Sequence, residues 1–261
     1  MVEKNRAELI SELEGLFKKR VFALIFNPGD DEGIKEGDEK YIFHFLKGMN
    51  KNHLPLDSVW IISGRGGNLK TAILCSELLR KNLKRYDTFV PTVVGSALCY
   101  FILQSDKLLI GEKSRITQMD PMFDYDGEDL RAIKHLASDD PRKSTIAKAI
   151  YNPVFENVKK LIIEPPNVFE EKIQKTSKNK TNYLVKVVDL WMGKELHESG
   201  LTKTDLEKLG VKFKILDPNI IEKAKILIND CLRELEKENQ RFVIQTNEIE
   251  NDCYFGGYFY S

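Results

Sequence analysis

A serine and a glycine pair stand at two successive points where a strand-like pattern gives way to a helix-like one. Ser96 follows Gly95 in the otherwise apolar run VVGSALCYFIL, and Gly66 and Gly67 lie in the turn SGRGGN. Glycine lets the backbone approach a ligand closely and leaves amide groups directed at negative charge near a helix start. A serine at the start of the next helix lies in the positive potential of that helix's N-terminus, which also favours negative charge. The two turns therefore form one candidate site, with Ser96 as a candidate nucleophile.

Simpler explanations exist for both turns. The sequence GRGG does not match GxGxxG, and Lys70 and Thr71 follow it at the wrong spacing for a Walker phosphate-binding loop. A serine directly after a glycine is commonly a helix cap. From these residues alone, Ser96 is either a cap or a nucleophile.

Strand-like and helix-like segments alternate around the two turns. The continuous apolar run over residues 20–26 and a second buried-strand candidate over 57–63 predict strands covered on both faces, and residues 86–94 and 107–111 are also strand-like. The segments between them have helical spacing or open on a glycine turn. Strands that alternate with helices in this way imply crossover connections and a layered α/β fold.

From Asp139 onward the pattern is mostly helical. An aspartate cap with Pro141 in the first turn predicts a helix start, and Pro153 is expected to break or kink that helix. Further on, Thr202 predicts a capped helix that stops at Gly210. We expect an amphipathic helix over 1–20, a core over 21–165 and a helical extension with an aromatic tail over 166–261.

Composition limits the partners and the compartment. The 261 residues carry 40 Lys plus Arg and 40 Asp plus Glu, so the formal net charge is zero. The chain therefore has no net positive field that would attract nucleic acid. The four cysteines are widely spaced, which argues against disulfides and a zinc site. No apolar run reaches the roughly 20 residues that span a bilayer. We expect a cytoplasmic protein with no metal, no cofactor, no nucleic-acid partner and no transmembrane segment.

The order of these segments resembles the serine dehydrogenase proteinase family, which belongs to the Clp-protease and crotonase-like group and is related to signal peptide peptidase. The resemblance covers most of residues 20–218 and is carried by four stretches: VWIISGRGGNLKTAILCSELL, FVPTVVGSALCYFILQSDKLLIGEKSRITQMDP, IAKAIYNPVFENVKKLI and WMGKELHESGLTKTDLEKLGVKF. It implies a Clp-protease/crotonase-like core of repeated β-β-α units with a helical C-terminal region. It also implies a serine peptidase that acts on a peptide or protein and assembles as a trimer, hexamer or larger homo-oligomer.

The resemblance assigns roles to individual residues around the two turns. Ser96 matches the nucleophile, and the amides of Gly67 and Ala97 match the two donors of an oxyanion hole. Gly66 and Arg65 belong to the same turn and are candidates for lining the substrate site. Asp120 is a third such candidate, because Asp120 and the proline after it match the family's DP turn.

The base that activates the serine is assigned by the resemblance too. Clp proteases use a histidine in the stretch that matches SRITQMDP, and this chain has none there. Signal peptide peptidases use a lysine, and Lys148, 52 residues after Ser96, matches it. Its apolar neighbours could bury it, although a solvated helix lysine is the alternative. Lys134 and Lys143 are weaker candidates, and His197 matches a family histidine of unassigned role.

Three departures from the family pattern leave both a divergent, specialised protease and an inactive relative open. Arg65 replaces the proline of a Pro-Gly-Gly turn, Ala97 and Leu98 replace small residues, and TQMDPMF replaces the usual GP.DPQ. Arg65 could instead bind a substrate carboxylate. The alternatives are a catalytically inactive Clp-fold scaffold or regulator and, third, crotonase-like acyl-CoA chemistry.

Overall fold

The structure is a computed structural model that describes residues 5–28, 33–49, 57–163, 167–169, 200–246 and 253–255. The helices are α1 (Arg6–Phe17), α2 (Asp38–Gly48), α3 (Leu69–Asn82), α4 (Cys99–Gln104), α5 (Ala132–His135), α6 (Pro141–Ile163), α7 (Lys203–Lys208) and α8 (Pro218–Lys237), with a 3₁₀ turn at Ser96–Leu98. The strands are β1 (Arg20–Phe26), β2 (Asp57–Ser63), β3 (Arg85–Val90), β4 (Val93–Val94), β5 (Lys107–Ile110), β6 (Arg115–Ile116), β7 (Met122–Tyr125), β8 (Glu128–Arg131), β9 (Phe213–Ile215), β10 (Phe242–Gln245) and β11 (Cys253–Phe255).

A seven-stranded sheet forms the centre of the molecule, in the order β11-β10-β1-β2-β3-β5-β9. The strands from β1 to β9 in that order pair in parallel, while β10 is antiparallel to β1 and β11 is antiparallel to β10. Parallel pairing requires crossover connections, which the intervening helices supply. The predicted α/β class is confirmed.

Helices cover both faces of this sheet, which explains the continuous apolar runs. Along β1, Phe22, Leu24 and Phe26 join the core cluster formed with α2, α3 and α4. The alternate residues of β1 join the cluster formed with α1 and α8. Since successive strand residues point to opposite faces, a strand covered on both sides must be apolar throughout.

A second, smaller ladder runs beside the carboxyl ends of the central strands. After β2 the chain forms a bridge between Gly64 and Val94 of β4, and β4 pairs in parallel with β6. Each unit thus consists of a long strand, a short strand or bridge, and in two cases a following helix, α3 or α4. This is the repeated β-β-α core that the sequence resemblance implies.

The C-terminal region contains predicted helices together with strands that the pattern did not indicate. The capping box of Thr202 and Asp205 opens α7, and Gly210 follows that helix with a φ of 62°. Strands β9, β10 and β11 join the central sheet. At three or four residues each, they are too short for a period-2 pattern to distinguish from connecting loops. His197 and the segment TNYLVKVVDLWMGKEL lie outside the described residues.

The expectation that Pro153 ends or kinks its helix is wrong in one respect, because α6 continues past it to Ile163. Asp140 caps this helix, accepting a hydrogen bond from the Arg142 amide at 2.8 Å. Proline removes the N–H that would reach the carbonyl of Ala149. Ala149 is exposed, so water can replace the missing donor.

The cysteines and the lengths of the helices bear on two of the expectations from composition, namely no disulfides and no transmembrane segment. Cys75, Cys99 and Cys231 are buried and are not in disulfide bonds. Among the helices that the structure describes, none combines the length and apolar character needed to cross a membrane.

Candidate active site

Ser96 occupies a strained position at the junction between β4 and the 3₁₀ turn. Its φ is +45°, in the left-handed region that residues with a side chain seldom adopt. Its amide is held by a hydrogen bond to Thr117 Oγ1 at 2.9 Å. Strain of this kind persists where the surrounding structure enforces it, and it concentrates at functional sites. A sharp strand-to-helix turn is also how hydrolases expose a nucleophilic serine.

The hydroxyl of Ser96 does not cap a helix. The residue that caps the 3₁₀ turn is Gly95, and that turn has no side-chain cap. Within the described chain, Ser96 Oγ makes no hydrogen bond, and it borders a cavity. Of the two explanations left open by the sequence, the structure disfavours the cap.

The glycine turn packs directly against Ser96. Gly66 has a φ of +132°, and a Cβ placed on it would lie 2.6 Å from Ser96 Cβ. A Cβ on Gly95 would lie 2.3 Å from the carbonyl oxygen of Arg65. Positions 66 and 95 therefore require glycine, because a side chain at either position would collide with the other turn.

Hydrogen bonds hold the glycine turn in place without using the Gly67 amide. The Ile34 amide donates to Gly66 O at 2.8 Å, and the Asn68 amide donates to Ile34 O at 2.6 Å. Gly67 lies between these two anchored residues with a φ of +117°. In the described part of the chain its N–H has no acceptor, so it is available to a ligand.

The second amide assigned to the oxyanion hole is also available. In the 3₁₀ turn Ser96–Leu98, here called the serine turn, the Leu98 amide donates to Gly95 O at 3.1 Å, and the Ser96 amide donates to Thr117 Oγ1. The Ala97 amide between them has no acceptor among the described residues. Within the described residues, the Gly67 and Ala97 amides and the Ser96 hydroxyl thus all lack a hydrogen-bond partner; two such amides converging on one point are what an oxyanion hole requires.

A cavity of about 820 Å³ opens in front of Ser96. One wall consists of Arg65, Gly67 and the first three turns of α3. The opposite wall consists of the segment 119–122 and one face of α6. Most side chains on both walls are apolar, namely Leu69, Ile73, Leu74, Met119, Pro121, Met122, Ile150, Pro153 and Val154. The volume suits several residues of a peptide or a similarly sized organic ligand.

The three candidates for lining the substrate site have different roles in the structure. Arg65 is exposed and lines the cavity, while Gly66 is buried beneath Ser96. Asp120 lines the cavity, but its carboxylate is buried and ion-paired with the Nε of Arg131. Arg131 also donates through Nη2 to Gln118 Oε1 at 3.0 Å. Asp120 therefore anchors the wall of the cavity.

The structure does not bring Lys148 to Ser96. The cavity is lined from α6 by Ile150, Pro153, Val154 and Asn157, and Lys148 is exposed elsewhere on the helix. With 3.6 residues per turn, Lys148 lies roughly 160° around the helix from Ile150. Among its apolar sequence neighbours, Ala147 faces the core, Ile150 lines the cavity and Ala149 is itself exposed, so they do not bury Lys148 as expected.

The other predicted bases are also outside the cavity. Lys143 lies over the ring of Tyr125, with Nζ 5.4 Å from the ring centre, and Lys134 is exposed. Of the described histidines, His44 and His135, neither lines the cavity. Groups of three or more potential metal ligands are absent from the residues that the structure covers.

One lysine does line the cavity, although the sequence patterns did not indicate it as a base. Lys70 lies in the first turn of α3, four residues after Gly66. The signal that could have identified it is its position, because the first turn of a helix after a glycine turn must lie beside that turn.

Comparisons with known proteins give a limited result. No family model and no curated protein matches the chain. Among solved structures, the chain is similar to the membrane-bound stomatin-specific protease 1510-N, with 14% identity, a TM-score of 0.46, and coverage of 85% of this chain and 86% of that one. It is also similar to ClpP1 from Listeria monocytogenes, with 12% identity, a TM-score of 0.41, and coverage of 79% and 98%. Similarity at this level assigns neither a family nor an activity.

Proposed function

We propose that this chain is a serine hydrolase that cleaves peptide bonds, with Ser96 as the nucleophile. The observation that carries the proposal is Ser96 itself: it is a non-glycine residue at positive φ, it borders the cavity, and within the described residues its hydroxyl and the amides of Gly67 and Ala97 have no hydrogen-bond partner. A structural serine has no need of this combination. The sequence resemblance points to the same residue and the same chemistry.

The proposed reaction uses the two turns together. Ser96 Oγ attacks the carbonyl carbon of the peptide bond while a base removes the hydroxyl proton. The carbonyl electrons move onto oxygen, and the amides of Gly67 and Ala97 stabilise that oxyanion, an effect of about 2.7–4 kcal/mol for one donor. The base returns the proton to the leaving amine, and water then hydrolyses the ester on Ser96.

We propose a lysine as that base, and two lysines compete for the role. The resemblance assigns Lys148, which is exposed and faces away from the cavity. The cavity lining favours Lys70, which borders the same space as Ser96. A general base must come within hydrogen-bond reach of the proton it removes, so position decides between them.

Peptide hydrolysis tests both the activity and the base. Wild-type protein and Ser96→Ala are incubated with a complex mixture of synthetic peptides, and new termini are counted by mass spectrometry. We expect cleavage by wild type, none by Ser96→Ala, and a loss of about 100-fold or more in Lys70→Met, in line with general-base effects. Equal cleavage by wild type and Ser96→Ala would overturn the proposal. Loss in Lys148→Met alone would identify the dyad that the resemblance implies.

An inactive scaffold or regulator is the second candidate. The observation in its favour is that no described lysine or histidine hydrogen-bonds to Ser96 Oγ. Under this hypothesis the fold is kept for assembly, and Ser96 reacts with no substrate or probe.

Self-association is part of the proposal in either case. It rests on the resemblance and on large apolar side chains that are exposed on the described surface, namely Leu16, Phe43, Leu74, Met122, Ile215 and Ile226. Light scattering on the purified protein tests it, with a mass of at least three chains expected and a monomer contradicting it.

A further inference from the structure

Among the described residues that line the cavity, the two anions are ion-paired, whereas the cations Arg65 and Lys70 form no ion pair with another described residue. Asp120 is ion-paired with Arg131 and buried. Glu77 lies 3.7 Å from Lys81 on the same helix. In contrast, Arg65 has no acidic partner in the part of the chain that the structure describes, although its side chain borders the cavity.

We propose that Arg65 binds a carboxylate of the substrate, so that the site prefers peptides with a negative charge close to the bond that is cleaved. This inference rests on the proposed function for its meaning, since it names the class of substrate for the same site. A guanidinium group matches a carboxylate with two parallel hydrogen bonds, which gives orientation as well as attraction.

The position of Arg65 places that charge next to the reacting carbonyl. Arg65 immediately precedes Gly66, whose backbone packs against the side chain of Ser96. The first turn of α3 follows the same turn and adds the positive end of a helix of 14 residues. We therefore expect a substrate carboxylate at Arg65 to lie close to the scissile bond.

The remaining charged and apolar residues along the cavity suit a substrate whose carboxylate lies beside Ser96. Glu77 lies seven residues beyond Lys70, about 10 Å along α3 at 1.5 Å per residue. The apolar side chains Ile73 and Leu74 occupy the space between them. The site thus presents positive charge beside Ser96 and then an apolar surface, while Glu77 at the far end is paired with Lys81. A peptide with an acidic group at the scissile bond and apolar residues beyond it complements this order.

The carboxylate could be an aspartate or glutamate side chain or the C-terminus of the peptide, and three versions of one peptide separate these sources. The neutral version is acetyl-AALQAL-amide, the second has Glu in place of Gln, and the third keeps Gln and has a free C-terminal carboxylate. Binding of each to the Ser96→Ala variant is measured by calorimetry, which requires no hydrolysis.

We expect one of the acidic versions to bind about tenfold more tightly than the neutral one, the effect of one charge-assisted hydrogen bond. This preference should vanish in Ser96→Ala combined with Arg65→Gln. The preference should persist in Ser96→Ala combined with Arg85→Gln. Arg85 is an exposed arginine at the N-terminal end of β3, and it does not line the cavity.

Three results would overturn the inference: equal binding of all versions, no detectable binding of either acidic version, or a preference that survives Arg65→Gln. Because the binding assay uses a variant without the nucleophile, its outcome is independent of catalysis. Hydrolysis without an acidic preference would therefore reject this inference alone, and an acidic preference without hydrolysis would reject the proposed function alone.

Discussion

The two walls of the cavity differ in how their residues reach the site. On one side, Ser96 and Gly67 line the cavity from turns whose geometry is fixed locally, by positive φ angles and by close packing of the turns against each other. On the other wall, the contributions of α6 and of the segment around Asp120 depend on how a long helix rotates and where a buried ion pair holds the chain. Local turns can be recognised from neighbouring residues, whereas the facing wall depends on tertiary packing.

The largest predicted effect concerns the anchor of the facing wall. Asp120→Ala leaves the charge of Arg131 buried without its partner, which typically destabilises a protein by about 3–5 kcal/mol. Chemical denaturation measures this change in the free energy of unfolding. The matched control is Glu156→Ala, which removes an exposed partner of Lys159 at 3.6 Å and should cost less than about 1 kcal/mol. Similar losses in the two variants would show that the buried pair does not anchor the wall.

The next effect concerns the contact between the two turns. In Gly66→Ala the new methyl group would meet Ser96 Cβ at 2.6 Å, and alanine would be strained at a φ of +132°. We expect a loss of about 1–3 kcal/mol in the free energy of unfolding and the loss of peptide hydrolysis.

Gly15→Ala provides the control for that substitution. Gly15 lies in α1 with no atom within 4 Å of its added Cβ. Alanine there should stabilise the protein by about 0.5–1 kcal/mol and leave hydrolysis unchanged. If Gly66→Ala behaved like Gly15→Ala, the close packing of the glycine turn on Ser96 would not constrain the site.

A smaller effect is expected where Thr117 holds the serine turn. Thr117→Val removes the acceptor of the Ser96 amide at 2.9 Å, with an expected cost of about 1 kcal/mol. The rate of peptide hydrolysis should fall by a larger factor than a loss of about 1 kcal/mol in the free energy of unfolding would explain, because the hydrogen bond that holds Ser96 at its positive φ is lost. Thr117→Ser keeps the hydroxyl and should restore both properties, whereas a serine variant as impaired as the valine variant would contradict this role.

The smallest effect is expected at Lys148. Because its side chain is exposed on the far side of α6, Lys148→Met should change the free energy of unfolding by no more than about 0.5 kcal/mol. A clear loss of stability in denaturation measurements would place this lysine in a packed environment that the structure does not show.

The same contrast between local and tertiary information explains what the sequence could predict. The bounds of β1 and β2 follow directly from their apolar runs, because both faces of these strands are covered. Ser96 and its glycine turn could be identified because turn geometry and residue type are linked locally. The direction of Lys148 could not, since its apolar neighbours in sequence lie on other faces of the helix. The short strands β9 to β11 acquire their structure from pairing partners far away in the chain.

The most direct test of the central claim is covalent labelling of Ser96 by a fluorophosphonate, mapped by mass spectrometry on the folded, purified protein. An activated serine attacks phosphorus and displaces fluoride, so we predict one adduct, on Ser96. The adduct should be absent from Ser96→Ala and from protein unfolded in denaturant. Folded protein that carries no adduct, or carries it on other serines while Ser96 stays unmodified, would contradict the claim that Ser96 is a nucleophile and favour the scaffold hypothesis.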